Sequence, residues 1–348
     1  MSTRPHKLNP DFARFCKESR EERAAVFTEI ARQRKASAIA IEKDFHVCRT
    51  IDAIFHGLHT QPKPFFKGGT SLSKGHNLIN RFSEDIDIVL SAPGLGFSGA
   101  KDPANPNITP SMRDKVLSTS SPNALPQKLK RHTRDKMRAA LAALLPDCAI
   151  AAVDVSDPYG AALQVSYESV LAVDAAIDAY ISRSVLIETG ARSAREPIDI
   201  CDITAYIQDG LDPKEWTLAS PGVTLIKPER TFWDKVYILD RICSTHAAGK
   251  LKLSGTDRKS RHYYDLALMS GTPVGARAIA DRGLAERVRV AFSGTELGAL
   301  RLVPPDEVLA RLRRDYDEGT SRMIFGSPPS FEEIVSGIAD LQSALMGA

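Results

Sequence analysis

Between residues 65 and 90 the chain runs Phe65-Phe66-Lys67-Gly68-Gly69-Thr70-Ser71-Leu72-Ser73-Lys74, then Arg81-Phe82-Ser83-Glu84-Asp85-Ile86-Asp87-Ile88-Val89-Leu90. The first run is a small-residue turn with hydroxyls at its end. The second spaces two carboxylates one residue apart. Free N–H groups at the start of a helix bind phosphate, and paired carboxylates hold divalent cations. Together they could carry phosphoryl or nucleotidyl transfer.

Local chemistry dictates the elements that would position these groups. Residues 64–67 are apolar and predict a short buried strand. Gly68-Gly69-Thr70-Ser71 lets the backbone turn tightly and approach a ligand closely. Leu72, His76 and Ile79 recur at helical spacing, so a helix is predicted from about Thr70 or Ser71. Ile86, Ile88 and Leu90 alternate with Asp85, Asp87 and Val89, which predicts a strand. Residues i and i+2 of a strand share a face, so the two carboxylates stand roughly 6–7 Å apart and point the same way. Like charges that close repel unless a cation lies between them, and a magnesium pair answers that need. A glycine pair alone also fits a plain strand-to-helix turn, and a lone Asp-x-Asp fits a solvated edge strand. Their succession is the stronger signal.

KGGTSLSK followed by RFSEDIDIVL resembles the AbiEii/AbiGii-type (MenT-like) nucleotidyltransferase toxins, a branch of the DNA polymerase β-like nucleotidyltransferase superfamily. Three later segments resemble the same pattern in the same order. Ser184-Val185-Leu186-Ile187-Glu188-Thr189-Gly190-Ala191-Arg192-Ser193 is similar to the strand with the third carboxylate. Pro228-Glu229-Arg230-Thr231-Phe232-Trp233-Asp234-Lys235 is similar to the lysine-bearing helix, and Arg258-Lys259-Ser260-Arg261-His262-Tyr263-Tyr264-Asp265-Leu266 to the closing motif.

The resemblance implies an α+β fold with a polymerase β-like core, a mixed sheet flanked by helices. It implies two Mg²⁺ ions on Asp85, Asp87 and Glu188, and an NTP cradled by Gly68, Gly69, Thr70, Ser71, Lys74 and Lys235. Lys235 and Asp265 join the catalytic set. The implied function is a toxin nucleotidyltransferase of a type IV-like toxin–antitoxin or phage-defence system. It would transfer NMP to an RNA acceptor, the tRNA 3′ end first, and so block translation, with a cognate antitoxin as partner. The alternatives are NMP transfer to a protein hydroxyl and a non-catalytic nucleotide-binding regulator.

The residues themselves support these roles to different degrees. Glu188 follows three apolar residues, as a strand-end acid facing a sheet opening would. Asp199 and Asp202 compete with it, although Pro197 weakens Asp199 as a central-strand position. Lys235 flanks the apolar stripe Phe232, Val236, Leu239 and either snorkels outward or enters a cleft as a point charge on phosphate. Asp265 is predicted near the start of a helix that Ser260 caps, where an acid also favours the helix dipole. Ser83 lies two residues before Asp85, so a phosphate there would repel a triphosphate and silence the enzyme.

The densest basic stretch runs from Lys128 to Arg138, with six Lys or Arg in eleven positions. Lys128, Lys130, Arg131, Arg134 and Arg138 are candidate RNA contacts, as are Arg258, Lys259 and Arg261; such contacts weaken with salt. A helix face that serves only solubility is the simpler alternative for the first cluster. The net charge of +3 decides nothing by itself.

At 348 residues the chain can hold two domains. Residues 1–220 are predicted to form the nucleotidyltransferase domain, with helices over 11–60 behind the sheet and a Pro/Gly-rich surface insertion or lid at 92–126. Residues 221–348 are predicted as a helical domain contributing Lys235 and Asp265 to the cleft. Strands are predicted near 149–155, 161–168, 183–189 and 197–203. Helices are predicted at 127–145, 228–246, 260–270, 274–290, 305–316 and 330–346. Charged residues near the N-terminus replace the apolar core of a signal peptide, and no apolar run is long enough to span a membrane. Five scattered cysteines and no CxxC argue against a disulfide framework or a zinc site. A cytoplasmic protein is the expectation. His46, His56, His59 and His76 have no ligand spacing.

Overall fold

Ile86, Ile88, Val185 and Ile187, the apolar halves of two alternating stretches, are each fully buried. Their burial fixes which way the two central strands face. In the computed structural model, residues 7–58, 61–105, 107–173, 181–191, 196–251, 258–292 and 295–346 are described. His59, Pro106, Arg192 and Ser193 lie outside them. The chain divides into two units, Met1–His76 with Ser83–Ile226, and Asn77–Phe82 with Lys227–Ala348.

The first unit is built on one mixed sheet of seven strands: β1 (Pro64–Lys67), β2 (Asp85–Leu90), β3 (Ala149–Val153), β4 (Ala161–Ser166), β5 (Ser184–Gly190), β6 (Ile198–Thr204) and β7 (Ala219–Ile226). Their order is β3-β4-β5-β2-β1-β7-β6. Strands β2 and β5 pair in parallel, as do β1 and β7, and the remaining pairs are antiparallel. With its flanking helices this is an α+β architecture built on a mixed sheet, as expected.

Helices α1 (Pro10–Phe15), α2 (Arg20–Arg34) and α3 (Ala38–Asp52) begin at Asn9, Ser19 and Ser37, whose side chains accept hydrogen bonds from their first turns. At Ser19 the cap is reciprocated by Glu22, a full capping box. Phe45, Val47, Cys48 and Ile51 of α3 share one core with Ile86, Ile88, Val185 and Ile187. Every residue of α3 from Ile39 to Asp52 is buried, including Glu42, Lys43 and Asp44.

The connections hold further short helices. Gly68–Thr70 forms α4, which continues as a π-helical turn over Ser71–Gly75. Helices α5 (Pro110–Val116), α6 (Leu125–Arg131) and α7 (Arg138–Leu144) follow, with a π turn at His132–Met137 between the last two. The second unit contains α8 (Pro228–Ala247), α9 (Ser260–Ser270), α10 (Pro273–Ala280), α11 (Arg282–Phe292), α12 (Asp306–Glu318) and α13 (Phe331–Met346). Among the described residues no helix is long and apolar enough to cross a membrane.

Four expectations need correction. Strand β7 is absent from the sequence reading, because Pro221 and Gly222 inside it look like a turn. The helix predicted over 274–290 is two helices, broken at Asp281. Within 92–126, Ala92, Phe97 and Val116 enter the core, so the segment is partly packed rather than a purely surface lid. Ser260 does not cap α9; it is the first helical residue, and Asp315 accepts from the N–H groups of Arg258 (2.9 Å) and Ser260 (2.8 Å) instead.

Candidate active site

The sheet register aligns one row of residues across four strands. Lys67 of β1 lies opposite Asp87 of β2, Asp87 opposite Glu188 of β5, and Glu188 opposite Ala162 of β4. Register partners share a face of a sheet. Ile86, Ile88, Val185 and Ile187 occupy the buried face, so Asp85, Asp87 and Glu188 stand together on the other, each half-buried. Asp199 and Asp202 are on β6, at the sheet's edge, separated from β2 by β7 and β1. The Gly222 N–H donates to Asp202 at 2.8 Å. Neither belongs to the row.

The glycine turn meets the carboxylates at one point. Gly68 has φ +79°, a left-handed conformation, and a Cβ there would lie 2.0 Å from Asp87 Oδ2. Only a residue without a side chain admits that carboxylate. The buried Thr70 hydroxyl donates to the Asp85 carbonyl at 2.5 Å and lies 2.9 Å from Ser83 Oγ. Ser71 Oγ donates to the Gly68 carbonyl at 2.9 Å. Both hydroxyls therefore tie the turn to itself and to β2.

Lys74 is a further correction. Its ammonium is buried, 2.8 Å from Asp44 Oδ1 and 3.4 Å from the centre of the Tyr206 ring. Burial alone would push its pKa down, but the Asp44 carboxylate outweighs that and holds it above the ordinary lysine value. A cation so engaged anchors the turn in the core and does not reach for a triphosphate.

The donor chemistry of Asp85, Asp87 and Glu188 suits a hard, oxygen-loving cation. The space that Gly68 leaves for Asp87 keeps one of these carboxylates against the turn. Among the described residues no three His, Cys, Asp or Glu side chains are gathered closely enough to form a ready ligand set. Their fit to a metal rests on shared face and register.

The second unit holds its own charged centre. Arg81 grips Asp265 with two bonds, Nε to Oδ1 at 2.7 Å and a terminal nitrogen to Oδ2 at 2.8 Å, and Lys235 Nζ meets Oδ2 at 2.7 Å. All three side chains are buried. Burial pushes the Asp265 carboxyl up, yet Arg81 and Lys235 together hold it well below the usual carboxylate range. Burial lowers Lys235 from the ordinary lysine value, against the pull of Asp265. A depressed folded-state pKa means the stabilisation is complete above the unfolded value of about 4 and is lost as pH falls toward the folded one. Asp265→Ala leaves two buried cations facing each other, so a loss of about 3–5 kcal/mol is expected in denaturant titrations near neutral pH. The difference from the unaltered chain shrinks in acid; a constant difference down to strongly acidic pH contradicts this account.

The basic stretch has a mixed environment. Arg131 and Arg138 are exposed, Lys128 and Lys130 are half-buried, and Arg134 pairs with Asp154 at 2.7 Å. The Lys128 ammonium lies 5.1 Å from the centre of the Phe97 ring. Arg258, Lys259 and Arg261 lead into α9, each half-buried.

Two residues of these charged centres escape sequence reasoning. Lys67 could have been found from its place immediately before the glycines, one strand away from Asp87. Arg81 carries no local signal, because its partner is 184 positions away.

The chain matches, over residues 58–337, the family model described as nucleotidyl transferase AbiEii toxin, type IV TA system. No protein of curated function matches it.

Proposed function

The chain belongs to the AbiEii nucleotidyl transferase toxin family of type IV toxin–antitoxin systems, and on that premise we propose that it transfers NMP from an NTP to an RNA acceptor, the 3′ end of tRNA first. The observation that supports this most is the Asp87–Glu188 register pair, with Asp87 set directly against Gly68.

In this scheme the amides of Gly69 and Thr70 receive the triphosphate at the start of α4, while the Ser71 N–H is held by the Gly68 carbonyl. Asp85, Asp87 and Glu188 would hold two Mg²⁺ ions, which supply charge neutralisation at the reacting phosphate. Glu188 accepts the proton of the attacking hydroxyl, whose oxygen bonds to the α-phosphorus in line as the bond from that phosphorus to pyrophosphate breaks. Lys235 places a point charge on the departing pyrophosphate, with Asp265 orienting its ammonium. The basic residues from Lys128 to Arg138, with Arg258, Lys259 and Arg261, bind the acceptor's phosphates. A blocked tRNA end stops translation in the cytoplasm, and the cognate antitoxin relieves it.

Incubating the protein with Mg²⁺, each α-labelled NTP, total tRNA and a lysate tests the scheme. Label on RNA supports it. Label on protein instead moves the acceptor to a protein hydroxyl, and label nowhere leaves a nucleotide-binding regulator. Ser83 adds a control point within the same scheme. A phosphate on its Oγ, 2.9 Å from the Thr70 hydroxyl, sets negative charge beside the turn and stops transfer. A stoichiometrically phosphorylated sample that transfers at the unmodified rate excludes that.

A further inference from the structure

Helix α3 carries two adjacent charges, Lys43 and Asp44, buried in the core and directed at different elements. Lys43 Nζ binds Glu84 Oε2 at 2.6 Å and Ser182 Oγ at 3.2 Å. Glu84 immediately precedes β2, and Ser182 stands two residues before β5. One ammonium thus ties together the starting ends of the two parallel strands that carry the acids. Asp44 binds Lys74, the fourth residue of the π turn that continues α4, and accepts from the Tyr206 N–H at 2.7 Å. The same helix therefore anchors the carboxylate strands by one residue and the amide turn by the next.

The apolar pattern cannot do this alone. A one-residue slip of β2 against β5 would expose Ile86 and Ile88 and is excluded by burial. A two-residue slip keeps every apolar residue inside, yet sets Asp87 opposite Leu186 or Gly190 instead of Glu188. No short turn joins these strands, so no hairpin geometry selects the register either. The slipped pairing loses the grip of Lys43 on Glu84 and Ser182, and a buried ammonium left without its carboxylate is costly.

We propose that Lys43 and Asp44 are positioning residues: Lys43 fixes the register that pairs Asp87 with Glu188, and Asp44, through Lys74, fixes the amide turn relative to it. The proposal rests on the nucleotidyl-transfer scheme above. It assigns the two grips to different kinetic constants. The Lys43 grip governs kcat, through placement of the acids. The Asp44 grip governs KM for NTP, through placement of the turn.

Two paired replacements, Lys43→Met with Glu84→Leu and Asp44→Leu with Lys74→Met, remove both charged members of each grip together, a change that buried pairs often tolerate. The first is expected to melt cooperatively, lose about 100-fold in kcat and keep its KM. The second is expected to raise KM more than it lowers kcat. Two cooperatively melting variants with the constants of the unaltered protein, or with identical losses in both, overturn the proposal. Should a pair fail to fold, Lys43→Arg and Glu84→Asp keep the charges but change their reach. A kcat loss at unchanged melting temperature then supports the grip, and an unchanged kcat refutes it. Amide exchange across Ile86–Ile88 and Val185–Ile187 is read on the same samples. It is expected to quicken in the first pair even if no acceptor or nucleotide is turned over at all. Failure of the transfer scheme is thereby separated from failure of the brace, for which unchanged exchange is the refuting result.

Discussion

Asp85→Ala and Asp87→Ala proteins are expected to fold and to transfer no NMP, with a fall of about 10³-fold or more and loss of growth inhibition. Both side chains stand on the half-exposed face of β2, while the strand's packing comes from Ile86 and Ile88 behind them. Removing one of several like charges on a single face relieves repulsion, so the melting temperature should hold or rise. Activity and stability then move in opposite directions, the signature of residues kept for chemistry. Transfer assays beside thermal melts check it, and full toxicity from either variant refutes the role of the pair.

Gly68→Ala should be the most damaging single-methyl change in the first unit. The added Cβ would sit 2.0 Å from Asp87 Oδ2, and φ +79° already disfavours any side chain. Either the carboxylate or the turn must move, and a displacement near 1 Å at a reacting centre costs roughly 100-fold in rate. Gly298→Ala, where a Cβ meets nothing within 4 Å, serves as the matched control and should behave as the unaltered chain. Equal rates for both variants would remove the contact between turn and acid from the account.

The motif around Asp85 and Asp87 was legible because its information is local: alternation sets the face, and glycine sets the turn. The facing of Glu188 was legible only through likeness to a family, since its partner strand lies far along the chain. Side-chain destinations were not legible at all. Lys74 looks like a phosphate contact by position, but Asp44 and Tyr206 capture it from elements distant in sequence on either side. Arg81 and Asp265 find each other across 184 positions of the chain for the same reason. The basic stretch was visible as composition, whereas the pairing of Arg134 with Asp154 was not. Strand β7 was hidden by Pro221 and Gly222, which a strand tolerates where the ladder can spare their missing donor or side chain.

Parallel pairing of β2 with β5 also dictates when the acids can assemble during synthesis. Glu188 leaves the ribosome roughly one hundred residues after Asp87, and long-range pairing of this kind forms late. β1 can pair with β2 early, but its other edge waits longer still, since Phe66 pairs with Leu225 of β7. A nascent chain halted before β5 therefore carries both aspartates and the glycine turn without the third acid. Under the proposed scheme, the cell meets an inert polypeptide until translation of the first unit is almost finished.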